Sequence, residues 1–365
     1  MKLCAGDWVE VRSKQEILGT LDKRGQLDNL PFMPEMFKYC GLRFRVWKRA
    51  HKTCDTVNKT GGRRMADAVH LEELRCDGQA HGGCQAECLI FWKEAWLKRI
   101  GHAGKLPTES AGDTGPSQVS AAMAVVNRVE GEVVAGTKAA GSEDQSGPTY
   151  VCQATQLPAA TSPLSWWDIR QYCEDYASGN TRLGQLFSSF VYAGYYRLVQ
   201  AGIGLGPFLR RLYDLFQNLR GGVPFPRRSG SIPVGQPTPA SALNLRPGEL
   251  VRVKSFGEIL STLDTDNKNR GLYFDAEEVP FCGGTFQVKG RVGRIINEKT
   301  GKMMTFKTES VILEGVYCQG RYSDKRLGCP RSIYPMWREV WLERATESSP
   351  AKLSEKHALT GQFDP

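Results

Sequence analysis

The chain has 365 residues, of which 41% are apolar and 24% charged. That length suits two or three domains with sizeable cores, and the balance is that of a globular protein, not a disordered or fibrous one. The net charge of +9 is a mild bias toward anionic partners, and eleven cysteines without an apolar leader after Met1-Lys2-Leu3-Cys4 point to a cytoplasmic protein whose thiols are free or bind metal.

In chain order, the first predicted element is a strand at Trp8-Val9-Glu10-Val11, followed by a short helix over Glu16–Leu21 with Ile17, Leu18 and Leu21 on one face. Phe44 and Val46 alternate with Arg43 and Arg45 as a half-buried strand. Thr60-Gly61-Gly62 marks a turn, and Val69 with Leu71 gives a third strand. Trp92 and Trp96, four apart, suit a helical turn or a further strand.

These elements return. Gly6-Asp7-Trp8-Val9-Glu10-Val11 recurs as Gly248-Glu249-Leu250-Val251-Arg252-Val253, an offset of 242. Leu18, Phe32, Cys40-Gly41 and Val46 match Leu260, Phe274, Cys282-Gly283 and Val288. Leu71 and Cys76 match Leu313 and Cys318. Beyond a three-residue insertion, Cys84, Trp92 and Trp96 match Cys329, Trp337 and Trp341. A module of roughly 95 residues therefore occurs twice. Short strands joined by glycine turns, opening on a Gly-[Asp/Glu]-x-Val-x-Val strand, resemble a small SH3-type barrel. About ten residues of that opening also resemble KOW-type modules.

The expected class is α+β: tandem, mostly-β, SH3-like modules with a helical segment between them. The expected divisions are a first module (1–104), a flexible linker (105–149), a helical segment (150–222), a Pro/Gly/Ser-rich linker (223–245), a second module (246–345) and a disordered tail (346–365). The helical segment reads as one helix capped by Ser165 and running to about Tyr176, a second from Thr181, and a third over Phe208–Leu219. Residues 186–209 are apolar and lead into Arg210, Arg211, Arg220, Arg227 and Arg228, which makes 186–211 a candidate contact segment. Such a stretch packs on a barrel or lies on an anionic membrane surface as a peripheral scaffold.

Two clusters carry chemistry. Cys54, Cys76, Cys84 and Cys88, with His51 and His81, are candidate ligands for zinc or an iron–sulfur cluster, and Gly82-Gly83 would let the chain curl round an ion. The spacing C-x7-C-x3-C is not that of a standard zinc knuckle. The competing readings are buried cysteines acting as small apolar groups, or a reactive thiol at Cys54 with His51 three residues away. Arg43, Arg45, Lys48, Arg49, Lys52, Arg63 and Arg64, with Phe44 and Trp47 interleaved, suit nucleic acid, another anionic ligand, or a solvated strand edge. No Ser/His/Asp order, carboxylate pair or phosphate loop is present, so whether any reaction is catalysed stays open. The leading expectation is a non-enzymatic, metal-stabilised binding protein whose target is nucleic acid or a protein. The alternative is an accessory or catalytic metalloprotein of a biosynthetic pathway that uses the first module's Cys/His cluster.

Overall fold

The computed structural model describes residues 2–101, 130–141, 147–202, 204–323 and 325–345. It contains helices and several antiparallel sheets, a mixed α+β architecture. The chain forms two units. The first comprises Met1–Arg182 with Arg294–Met304 and Cys329–Arg331; the second comprises Leu183–Gly293, Thr305–Gly328 and Ser332–Pro365.

In the first unit, β1 (Trp8–Val11) turns Val9 and Val11 into the core and leaves Trp8 outside. Ser13 and Glu16 then close a reciprocal capping box that starts α1 (Lys14–Leu18) and directs Ile17 and Leu18 inward. Asp28 and Asn29, both at positive φ, make the tight turn of a small hairpin that pairs Gln26–Leu27 with Leu30–Pro31. β2 (Arg43–Arg49), β3 (Lys52–Cys54), β4 (Gly62–Met65), β5 (Ala68–Leu71), β6 (Trp92–Lys93) and β7 (Leu97–Ile100) follow. Five of these strands form an antiparallel half-barrel in the order β6-β5-β2-β1-β7. The Trp92/Trp96 spacing resolves as strand β6 followed by a 3-10 turn, Glu94–Trp96, which points both indoles into the core. Phe32 meets both edge-on, at 6.3 and 5.2 Å, and the Trp96 indole N–H donates to Thr20 Oγ1 at 3.1 Å.

Of the stretch read as a linker, residues 130–135 are helical, and Val133 is buried close against Gly25; apolar residues there find a surface to cover. The rest of 105–149 falls mostly, and the tail 346–365 wholly, outside the described residues. After Tyr150, α2 (Gln153–Ala160), β8 (Thr161–Leu164) and α3 (Arg170–Ala177) pack on the first unit. β8 adds to β4 and β3 as a second sheet. Ser165 does not cap α3. Its carbonyl accepts the Gln171 amide, and Asp168 receives the Arg170 N–H at 3.1 Å; the helix begins at Arg170, four residues later than the sequence suggests.

In the second unit, α4 (Leu183–Val199) and α5 (Gly206–Arg220) pack through Tyr192, Val199 and Phe225. There follow β9 (Leu250–Val253), α6 (Phe256–Leu260), β10 (Thr285–Ile296), β11 (Met303–Leu313) and β12 (Leu342–Arg344), with sheet order β11-β10-β9-β12; the joined ends of β10 and β11, Arg294–Met304, belong to the first unit. Several of its contacts correspond to contacts of the first unit. Val9 pairs with Phe44, and Val251 with Phe286. The Ser13–Glu16 box reappears at Ser255–Glu258, and the Trp96–Thr20 bond at Trp341–Thr262, 2.9 Å. Phe274 meets Trp341 at 5.2 Å. Among the described residues, no helix is long and apolar enough to cross a membrane.

One interior position differs sharply. His70, fully buried on β5, has its Nδ1 2.9 Å from the Ile90 carbonyl, while Ile312 stands 242 residues on. Burial pushes the His70 ring down to about 3, against the pull of that carbonyl. The folded state thus refuses a proton that the unfolded chain accepts below its ordinary 6.5. Stability is full above 6.5 and falls as pH drops toward 3, by up to ~1.4 kcal/mol per pH unit. Urea titrations at pH 7, 6, 5 and 4 should show a steeper acid loss in the wild type than in His70→Ile. Equal slopes would refute this.

Candidate metal centre and thiol-lined cavity

The long loop between β5 and β6 folds on itself. Cys76 N–H donates to Cys88 O at 2.9 Å, closing its neck. Inside, Gly83 and His81 N–H both donate to Gly78 O. Gly78, Gly82 and Gly83 all have positive φ, and a Cβ at Gly78 would lie 2.0 Å from Cys84 O. Glycine is required here by conformation and by space.

That curl brings Cys76 and His81 to one carboxylate, Glu35, which stands on the 3-10 turn Pro34–Tyr39. Cys76 Sγ donates to Glu35 Oε1 at 2.9 Å, and His81 Nδ1 lies 3.3 Å from the same oxygen. All three ligand atoms fall within 4.8 Å of one another. His81 Nε2 is 3.1 Å from Val151 O, an acceptor only, so Nε2 carries a proton. Nδ1 then faces the carboxylate without hydrogen-bond alignment, and Glu35 Oε2 is buried without a partner. Burial alone would raise the Glu35 carboxyl; the charge of a His81 protonated on both nitrogens and the Cys76 thiol outweigh it and hold the group below its usual value, and a cation taking the place of the Nδ1 proton would do the same. Burial and the Glu35 charge push the Cys76 thiol far upward.

Beside the centre lies a cavity of about 360 Å³ lined by Cys76, His81, Cys84, Cys88 and Cys152, with Met33, Leu89, Ile90, Phe91 and Ile296 as its apolar walls. Burial lifts Cys88 to about 12 and Cys152 to about 11. Such thiols are protonated at neutral pH and are poor nucleophiles, which counts against reactive-thiol chemistry at Cys88 and Cys152; a bound cation would deprotonate a coordinating one outright. Arg331 also lines the cavity. It is held by Glu298 at 2.7 Å and Thr56 at 2.9 Å, and its guanidinium lies 3.9 Å from Cys54 Sγ.

Of the six residues expected to share a metal, only Cys76 and His81 reach the cluster; Cys84 and Cys88 line the adjoining cavity, and Cys54 sits behind Arg331. His51 is elsewhere. Its Nε2 is 3.1 Å from Gln171 O and 3.4 Å from Asp175, because α3 packs over β3. Sequence reasoning missed Glu35 and Cys152. Glu35 carried a signal, since Glu277 stands 242 residues on; there it accepts the Arg321 and Tyr322 N–H groups at 3.1 and 2.5 Å. Cys152 carried none. It is delivered by Gln153, whose amide bonds Phe91 N–H, Phe91 O and Pro31 O.

Of the basic stretch, Arg49, Lys52 and Arg63 are buried in the fold, and the other four cations lie nearer its surface. Arg49 is buried against Glu94, Glu174 and Leu3 O. Lys52 meets Asp175 at 2.5 Å and lies over Tyr172. Arg63 bonds Thr161 and Pro158 O, and Arg64 reaches Asp168 at 3.2 Å. Arg43 pairs with Glu10, Arg45 bonds Gly6 O at 3.4 Å, and Lys48 lies over Trp47. Neither protein-family models nor curated proteins match this chain.

Gly78→Ala should cost more than about 3 kcal/mol, since strain and a backbone clash combine. Gly41→Ala, at φ +76° with open space around it, should cost only about 1–2 kcal/mol. Urea melts of the full chain compare the two, and similar costs would remove the steric argument.

Proposed function

We propose that this is a metal-stabilised binding protein built on a duplicated SH3-like module. Its first copy holds one divalent transition metal on Glu35, Cys76 and His81, and takes a mainly apolar small ligand in the adjoining cavity. The observation that carries the metal is the pair of orphaned buried atoms, His81 Nδ1 and Glu35 Oε2, beside the Cys76 thiol. A histidine that gives its other ring nitrogen to a backbone carbonyl has the orientation of a metal ligand. One sulfur, one imidazole and one carboxylate suit zinc; iron–sulfur clusters are held mainly by thiolates. The duplication is supported by the main-chain bonds that recur 242 residues on, and the ligand by a cavity size within the range of small-molecule sites.

Three protein ligands leave one tetrahedral position, and Cys76 and His81 both face the cavity. That favours, as a second reading, the catalytic metalloprotein, in which the fourth position takes water or substrate. A nucleic-acid target draws less support, because Arg49, Lys52 and Arg63 are buried and paired.

Elemental analysis of the purified full-length protein should find about one zinc per chain. Cys76→Ser and His81→Ala should each lower metal affinity by at least about tenfold. With Co(II) in place of zinc, a thiolate-to-metal absorption band should appear in the wild type and vanish in Cys76→Ser. A folded wild-type protein that neither contains nor takes up metal leaves a buried ion pair with a thiol donor, and the proposal fails.

A further inference from the structure

A second cavity, in the second unit, is lined by three guanidinium groups. Arg210 comes from α5, and Arg227 and Arg228 from the segment that follows it. Its volume is about 190 Å³, and Ser229, Asn267 and Tyr273 contribute further polar groups. The arginines are held from behind. Arg227 donates to Tyr322 O at 2.7 and 3.2 Å and stacks on Tyr196 at 4.9 Å. Arg210 lies over Phe225 at 5.8 Å. Arg228 pairs with Asp214. The other nearby acid, Asp275, is 3.8 Å from Arg326.

One facing carboxylate therefore answers three cations. The Nε atoms of both Arg210 and Arg228 are buried with no hydrogen-bond partner. Buried donors of this kind are rare and costly unless a ligand satisfies them. Burial, and then the like charge of Arg210, push the Arg228 pKa down, the direction a bound anion would reverse.

We propose that this cavity binds a phosphate group. Guanidinium groups match phosphate oxygens, and three of them around one small cavity exceed what a carboxylate needs, even with one edge of Arg227 on Tyr322 O and Arg228 on Asp214. Two sources carry that chemistry, a soluble phosphate ester and a phospholipid headgroup. The second has a specific reason to be tested. α5, which brings Arg210, also exposes Phe208, Leu212 and Phe216 at four-residue spacing, with Leu215 and Leu219 beside them. An apolar stripe flanked by arginines lies naturally in the interface of an anionic membrane.

The experiment uses the full chain in two arms. In the first, inorganic phosphate and glycerol 3-phosphate are titrated by calorimetry, with chloride at matched ionic strength as control. In the second, flotation is measured with phosphatidylcholine vesicles with and without phosphatidic acid. Arg210→Gln removes one fork from a helix surface, and circular dichroism checks that the variant is folded. It should weaken phosphate binding by about tenfold, the usual scale for one charge-assisted contact. Phe208→Ser/Leu212→Ser should abolish flotation while leaving soluble phosphate binding intact if the headgroup is the source. Binding in the soluble arm alone assigns a phosphate ester; binding to phosphatidic acid vesicles that Arg210→Gln weakens assigns the headgroup. No phosphate-dependent heat and no phosphatidic-acid-dependent flotation overturn the proposal, as does binding that Arg210→Gln leaves unchanged.

Discussion

A carboxylate buried at the foot of a loop must be answered by donors or by a cation, and the loop between β5 and β6 is arranged around that requirement. Glu35 is fixed by the turn that carries it, so partners must come to it. The chain brings Cys76 from the loop's neck and His81 from its tip, and the tip turns back only because Gly78, Gly82 and Gly83 accept left-handed geometry. At the matching position of the second unit, Glu277 is answered by two backbone N–H groups. The same demand has two solutions. The backbone solution satisfies the carboxylate with fixed neutral donors. The side-chain solution leaves two lone pairs and a thiol aimed at one point, which is a poor way to anchor a loop and a good way to hold a cation.

A comparable demand organises the basic strand. Arg49, Lys52 and Arg63 are drawn inside because the segment from α2 to α3 supplies Asp175, Glu174 and a row of carbonyl oxygens on top of them. Buried charges of this kind rarely add net stability over apolar packing, but removing one partner strands the other. They fix where the α2–α3 segment sits. That segment in turn places Gln153, and so Cys152, against the cavity.

Much of the fold was legible in the sequence because it is written in local signals. The alternation through Val9 and Val46 and the paired tryptophans each act over a few residues, whereas the first helix, expected over Glu16–Leu21, lies over Lys14–Leu18 because Ser13 and Glu16 cap it two residues earlier. The loop's closure was also legible in part, since glycines between cysteines imply a tight turn. What was not legible depends on long-range docking. Nothing near Lys52 shows that it meets Asp175 across 123 residues, so a run of cations read as an outward patch. His51 was grouped with the cysteines for its proximity in sequence, yet its ring, just before strand β3, meets Gln171 O on α3. Glu35 was overlooked because isolated carboxylates are common, although its recurrence as Glu277 was available.

The two matching carboxylates also bear on whether the first unit's cluster serves the fold or a bound ligand. The second unit closes its loop, through Cys318 N–H to Ile333 O at 2.8 Å, with no cysteine in Cys88's place and with neutral donors on Glu277. The neck therefore does not require a metal in order to form. The first unit keeps the neck, through Cys76 and Cys88, and differs at the tip, where His81 and the thiols surround a cavity. A cation needed only for folding would have been replaceable by the backbone solution. The side-chain solution, beside a largely apolar cavity, is what the proposed metal and ligand would account for and the demands of the loop alone would not.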